Sequence, residues 1–265
     1  MLKVFLDNKY IVNDNSTSDG SQTKYFKDGY WYKKDYFGGE GEVEYLTSIL
    51  LNNSNLKNDQ FVNYEQCIIN EYKGCRSKNF LTQSSEFVTF YRLYKSIKGR
   101  NLASDILEMS IHDRIKYVVN FVYNQTKLDI REYLANILYL DSIILNEDRH
   151  FNNLGVILQN GKFKTAPIFD NGKSLFVGNY SYKNTLSIEE NIKRACAKPF
   201  SGSYQEQLKY LQSNITLKFN FEKILSELKN LDQKSFYKKI LQNRIENQLI
   251  IKSKNNLQYN EEIEI

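Results

Sequence analysis

The chain has 265 residues, 41% hydrophobic and 25% charged, with a formal net charge of +5. That is a globular balance, in a length that suits two lobes around a cleft and a sizeable core. No apolar run approaches the roughly eighteen residues a membrane helix requires, and Met1-Leu2-Lys3-Val4-Phe5-Leu6-Asp7 is too short and too soon charged for a signal peptide. A cytoplasmic location is therefore expected, although export by a non-classical route would leave no mark here.

In chain order, residues 1 to about 85 read as a smaller, strand-rich lobe. Asn15-Ser16-Thr17-Ser18-Asp19-Gly20 is a polar turn between strands. A strand follows from Gly29 to Phe37, in which Trp31, Lys33 and Asp35 share one face and Lys34 takes the other. Glu40-Gly41-Glu42-Val43-Glu44 opens a helix whose apolar stripe is Val43, Leu46 and Leu50. Phe61 to Ile69 and Lys73 to Ser77 look like two further strands, and the chain should leave this lobe between Phe80 and Leu93. From there to about Lys254 helices are expected, and Asn255 to Ile265 is polar enough to be a frayed tail.

The C-terminal helices mix lysines with glutamates, as in Phe221-Glu222-Lys223-Ile224-Leu225-Ser226-Glu227. That is a solvated face and gives no clear nucleic-acid-binding stripe. Cys67, Cys75 and Cys196 lack metal-ligand spacing, and their odd number argues against a disulfide framework. They are expected as reduced, partly buried thiols. No internal repeat is visible.

The chemistry concentrates in Asn146-Glu147-Asp148-Arg149-His150-Phe151-Asn152-Asn153, answered by Ile168-Phe169-Asp170-Asn171-Gly172. Leu134, Ile137, Leu138 and Asp141 lie at helical spacing just upstream. Leu154 to Leu158 reads as a short strand, and Gln159-Asn160-Gly161-Lys162 as a hairpin turn, Asn-Gly being the strongest such signal. A return strand runs from Phe163 to Phe169. The hairpin would bring Asn153 and Asp170 out at one end, where they could share a metal. An Asp, an Asn five residues on and a second Asp are what phosphoryl transfer needs from a protein. One carboxylate accepts or orients the proton of the attacking hydroxyl, while an amide oxygen and another carboxylate hold Mg²⁺ against phosphates. A metal-hydrolase reading of Asp148 and His150 lacks partners, since the other histidine, His112, sits in the charged run His112-Asp113-Arg114 and reads as a surface residue.

Asp-Arg-His-x-x-Asn followed by Ile-Phe-Asp-x-Gly resembles the HipA-like and CtkA-like bacterial Ser/Thr kinases, which are distantly similar to phosphatidylinositol kinases. Gly20-Ser21-Gln22-Thr23-Lys24 looks like that family's phosphate-binding turn, Trp31-Tyr32-Lys33-Lys34-Asp35 its lysine-bearing strand, and Ala197-Lys198-Pro199-Phe200-Ser201 a stretch that follows its metal loop. The resemblance implies an α+β, bilobal protein-kinase-like fold, with a strand-rich N-lobe over 1–85 and a mostly helical C-lobe over 86–265. The chain looks more like the compact CtkA-like form than like full-length HipA-type toxins, which carry an additional N-terminal subdomain.

Carried over by position, the resemblance implies Asp148 as catalytic base or hydroxyl-orienting group, with His150 orienting the loop or reaching phosphate. Asn153 and Asp170 become the Mg²⁺ ligands. Lys33 becomes the nucleotide contact, Glu44 its ion-pair partner, and Gly20, Ser21 and Gln22 the phosphate-capping turn of an ATP site. Lys34 competes with Lys33, and the family pattern favours Lys33. Glu40 and Glu42 compete with Glu44, because acidic residues near a helix start commonly just complement the dipole. Ser21 and Thr23 are candidate autophosphorylation sites. The implied activity is ATP- and Mg²⁺-dependent phosphorylation of a protein Ser or Thr, and a basic patch near the cleft could attract an acidic protein substrate. The rivals are a small-molecule or lipid kinase, and a catalytically silent kinase fold that serves as a binding module.

Overall fold

The computed structural model describes residues 1–12, 22–179 and 182–261, with side chains to 249. The elements run β1 (Leu2–Val4), β2 (Lys24–Lys27), β3 (Tyr30–Lys34), α1 (Glu40–Asn52), β4 (Tyr64–Ile69), β5 (Tyr72–Lys78), β6 (Ser85–Thr89), α2 (Phe90–Lys98), α3 (Leu102–Asp105), α4 (Ile111–Thr126) and α5 (Arg131–Ile144). They continue with β7 (Gly155–Gln159), β8 (Lys162–Thr165), α6 (Ile188–Ile192), α7 (Tyr204–Lys209), α8 (Phe221–Lys229) and α9 (Phe236–Glu261). This is an α+β architecture with strands gathered early and helices late.

The first sheet has the order β1-β4-β5-β3-β2, with β1 parallel to β4 and the other pairs antiparallel. Helix α1 lies on β4 and β5 and also meets α8 and α9. Its burial is therefore wider than one stripe: Ile49 and Leu51 are enclosed along with Val43, Leu46 and Leu50. The approach of α1 to the sheet is close. A Cβ on Gly41 would come within 2.5 Å of the Gly74 backbone, and a Cβ on Gly74 within 2.2 Å of the Lys33 carbonyl oxygen. Small residues at this crossing set how near α1 can bring its carboxylates to β3.

The second sheet, β6-β7-β8, belongs to the helical part. Asn160 and Gly161 both adopt positive φ (51° and 74°), as the tight hairpin turn demands. The return strand is shorter than its sequence suggests. It ends at Thr165, ahead of Pro167, which has no N–H for a ladder. The chain then changes partner, with Ile168 N donating to the Gln60 carbonyl and Val62 N to the Ile168 carbonyl, both at 2.8 Å. This switch ties the metal-loop candidate to the first sheet's side of the cleft.

Helix α5 buries Leu134, Ile137, Leu138, Asp141 and Ile144 completely. The C-terminal tail departs from expectation: α9 continues to Glu261, through residues that read as frayed. No Gly or Pro interrupts the chain after Phe236, and Lys, Gln, Leu and Glu sustain a helix even without an apolar stripe. Cys67 and Cys75 are free and buried, and Cys196 is free and exposed. His112 lies at the surface, with 58% of its side chain exposed. Among the described residues, no helix is long and apolar enough to cross a membrane.

Candidate active site

Lys33 is the centre of the site. On β3 it faces inward and is largely buried, whereas Lys34 points to the other side and lies over the Tyr72 ring at 3.7 Å. The strand's alternation thus separates the two lysines. Lys33 Nζ donates to Asp170 Oδ1 at 2.6 Å and to Glu44 Oε1 at 3.3 Å, and lies 5.1 Å from the centre of the Tyr64 ring. The acidic competitors at the start of α1 have other work. The Glu40 carboxylate accepts the backbone N–H groups of Tyr36, Phe37, Gly38 and Gly39, and Glu42 accepts from Ser235 Oγ. Asp35 lies past the end of β3 and accepts from Gly41 N at 2.8 Å.

Burial alone would lower the Lys33 pKa, but Asp170, Tyr64 and Glu44 outweigh it and hold the ammonium well above the ordinary lysine value. Glu44 moves up as well: burial disfavours its charge more than Lys33 favours it, and Asp170 adds repulsion. The two shifts agree once the cluster is taken whole, because one ammonium is shared between two carboxylates.

The hairpin brings Asn153 and Asp170 together as its geometry requires. Asn153 Nδ2 donates to Asp170 Oδ2 at 2.7 Å, so turning the amide would present Asn153 Oδ1 beside a carboxylate. Among the described residues no group of three or more His, Cys, Asp or Glu side chains is arranged for a metal. A cation here would rest on one amide oxygen and one carboxylate, and Mg²⁺ accepts such a set when phosphates and water complete it. Asp170 itself sits at φ 60°, in the left-handed region that Asp tolerates better than most residues.

Arg149 fixes these loops. It is fully buried, with Nε and Nη2 donating to the two Asp141 oxygens at 2.9 Å, Nη1 to the Phe169 carbonyl at 2.8 Å and Nη2 to Asn171 Oδ1 at 2.7 Å. Asn171 N in turn donates to Glu44 Oε2 at 3.0 Å. One guanidinium therefore joins α5, the 146–153 loop and the loop after Asp170, and through Asn171 reaches the Lys33 partner.

Asp148 stands at a more open point. Its oxygens lie 3.4 Å from Lys173 Nζ and 3.4 Å from Lys198 Nζ, and Asp148 N donates to Asn146 Oδ1 at 2.9 Å. His150 has its pKa lowered by burial, against the pull of the nearby Asp148 and Asp170 charges, so it is neutral near pH 7. Among the described residues, its buried Nδ1 has no hydrogen-bond partner. Glu147, pushed up by burial, accepts from Cys196 N at 2.8 Å and from Asn179 Nδ2, and so ties the 146–153 loop to the chain that follows the Asp170 loop.

A cavity of about 340 Å³ opens beside Lys33. Trp31, Val62, Tyr64, Phe80, Leu81, Phe87 and Phe169 line it, with Lys24, Lys33 and Arg92 as the basic contributions. Phe80, Phe87 and Phe169 pack with ring centres 5.3–5.9 Å apart, forming an aromatic floor. A larger cavity of about 680 Å³ touches none of Lys33, Glu44, Asp148, Asn153 or Asp170, so size does not decide which cavity belongs to the site. Gly20 and Ser21 lie outside the described residues. Gln22 is described, and its side-chain Nε2 donates to the Lys34 carbonyl at 3.1 Å.

The sequence reading did not single out Tyr64, Asn171, Glu147 or Lys173, and assigned no role to Arg149. Arg149 carried a signal in its place between Asp148 and His150, at helix-plus-loop distance from Asp141 in an otherwise apolar stripe. Tyr64 carried none, because its position under Lys33 is set by sheet order.

No family model matches the chain, and no curated protein matches it. Solved structures do. The proinflammatory kinase CtkA of Helicobacter pylori superposes with a TM-score of 0.62 at 17% identity, over 91% of this chain and 90% of that one. The HipA, HipB and operator DNA complex of the Shewanella oneidensis MR-1 toxin–antitoxin system matches with a TM-score of 0.50 at 14% identity, over 91% of this chain and 66% of that one. The fold is that of the HipA/CtkA-like kinases. Within the HipA/CtkA-like fold, the β3 lysine, the α1 carboxylate and the two loops flanking the hairpin all meet at one cleft.

Proposed function

We propose that this chain is a kinase that transfers the γ-phosphoryl group of ATP to a serine or threonine hydroxyl of a protein, with Mg²⁺. The observation that carries the reading is the meeting of Glu44, Asn153 and Asp170 around Lys33, which itself lines an aromatic cavity, with Asp148 on the adjoining loop. The cavity is of a size and apolar character that suits an adenine ring. Lys33 would meet the nucleotide phosphates, with Glu44 keeping its ammonium in place as Asp170 turns to a cation. Asn153 and Asp170 would hold Mg²⁺, which supplies charge neutralisation at the β- and γ-phosphates when bound.

Asp148 would take the proton of the acceptor hydroxyl as that oxygen bonds to the γ-phosphorus. The bond from phosphorus to the bridging oxygen breaks, and ADP leaves with the electron pair. Arg149 touches no reactant in this scheme and acts by holding both loops. The test is transfer of labelled phosphate from ATP, with Mg²⁺, to the protein itself and to a whole-cell lysate. Asp148→Ala should lower turnover by roughly 10²–10⁴ if the carboxylate handles the proton, while ATP binding persists. Label that appears on protein equally with the variant, or ATP binding with no protein label at all, would overturn the reading, the latter in favour of a small-molecule acceptor.

A further inference from the structure

Apart from the buried Arg149, the basic side chains named at the site fall into two sets. Lys24, Lys33 and Arg92 line the aromatic cavity, whereas Lys173 and Lys198 do not. Those two instead converge on Asp148 from different parts of the chain, each 3.4 Å from one carboxylate oxygen. Lys173 lies three residues past Asp170 and rests over the Phe37 ring at 5.6 Å. Lys198 is carried by an anchored loop: its carbonyl accepts from the buried Gln207 Nε2 at 3.2 Å, Ala197 N donates to the Gly202 carbonyl at 2.9 Å, and Phe200 packs on Phe151. Their side chains remain 39% and 51% exposed, opening to solvent beside an Asp148 that is 33% exposed.

Two ammonium groups thus converge on one carboxylate at the point where an acceptor hydroxyl would enter, and the nearby Glu147 carboxylate, which also attracts Lys198, is already engaged by Cys196 N and Asn179 Nδ2. The surrounding segment is basic as well. Between Lys173 and Lys198 the chain carries Lys173, Lys183, Lys193, Arg194 and Lys198 against Glu189 and Glu190. Glu190 is held in the capping box of α6 with Ser187 and Glu189 by Asn243 Nδ2 at 2.9 Å, contacts that leave both negative charges in place, so the segment is basic by five charges to two.

We propose that Lys173 and Lys198 form an acceptor-side anion subsite, selecting protein segments in which the target serine or threonine is flanked by acidic side chains. The proposal rests on the kinase reading above and deepens it. An acidic flank would draw the two ammonium groups from Asp148, freeing that carboxylate for the incoming hydroxyl. A basic flank would meet like charge at close range and be disfavoured.

The test uses two labelled peptides, one with a single serine set among aspartates and one with the serine among lysines. Binding to the full chain by fluorescence anisotropy, and phosphorylation with ATP and Mg²⁺, are measured for wild type, Lys173→Gln, Lys198→Gln and the double variant. The expected result is tighter binding and lower KM for the acidic peptide, weakened about threefold by each single change and about tenfold by both, and weakened again by added salt. Lys198→Glu should move the preference toward the basic peptide. Equal binding of both peptides to wild type, or a rise in KM for ATP with the acidic-peptide KM unchanged, would overturn the subsite. Lysine-dependent binding of the acidic peptide without any phosphoryl transfer would leave the subsite standing and sink the kinase reading.

Discussion

Replacing Arg149 with methionine keeps much of its buried volume but deletes the guanidinium that holds Asp141, the Phe169 carbonyl and Asn171. Asp141 has no exposed surface, and Asn146 Nδ2 at 3.2 Å would remain as its neighbour. Stripping one partner from a buried ion pair costs about 3–5 kcal/mol, because the other charge is left without compensation. Against a total stability of roughly 5–15 kcal/mol that is a large share, and at about 2–4 °C per kcal/mol it lowers the melting temperature by around 10 °C. Adding Asp141→Leu removes the stranded carboxylate, and a buried pair exchanged for packed apolar groups is often close to neutral. The double variant should therefore regain most of the stability while nucleotide binding stays impaired, since Asn171 and the Phe169 carbonyl are still without their donor. Denaturant titration and ATP calorimetry on the three proteins read both quantities. A single variant within about 1 kcal/mol of wild type, or a double variant less stable than the single, would refute the reasoning.

Gly41→Ala should destabilise the protein even though alanine is the better helix former, because its Cβ would meet the Gly74 backbone at 2.5 Å. Helix α1 must then shift from β5 and take Glu44 from Lys33, which a thermal melt and ATP titration would show together. Stability should also depend on His150. Its folded pKa is lowered from the ordinary 6.5 by burial, so between those two values the unfolded chain binds more protons than the folded one. Stability therefore rises with pH through that window and levels off above the unfolded value. His150→Gln should flatten this part of the profile measured by denaturation, and an unchanged slope would contradict the assignment.

The hairpin and its flanking loops were legible because their signals are local: Asn160-Gly161 fixes a turn, and the turn fixes where Asn153 and Asp170 emerge. Strand alternation made it legible that Lys33 and Lys34 face opposite ways, but which of them turns inward followed only from the family resemblance. Glu44 over Glu40 and Glu42 was not settled by sequence, since all three sit in the first turns of one helix. What decides it is the fold. Glu40 is taken by four backbone N–H groups, Glu42 by Ser235, and Glu44 is the one that reaches Lys33. The Lys33–Asp170 contact spans 137 positions and the Glu44–Asn171 contact 127, and no periodicity reports pairs that distant. The α9 tail was missed for a different reason: polar composition was read as fraying, although it contains no helix breaker.

On the proposed reading, Asp170 and Asn153 hold the cation that positions a nucleotide beside Lys33. Calorimetric titration of ATP with and without Mg²⁺, on wild type and Asp170→Asn, tests it most directly. Mg²⁺ should tighten ATP binding to wild type by roughly tenfold or more and do little for the variant. Equal Mg²⁺-dependent binding by both proteins would contradict it.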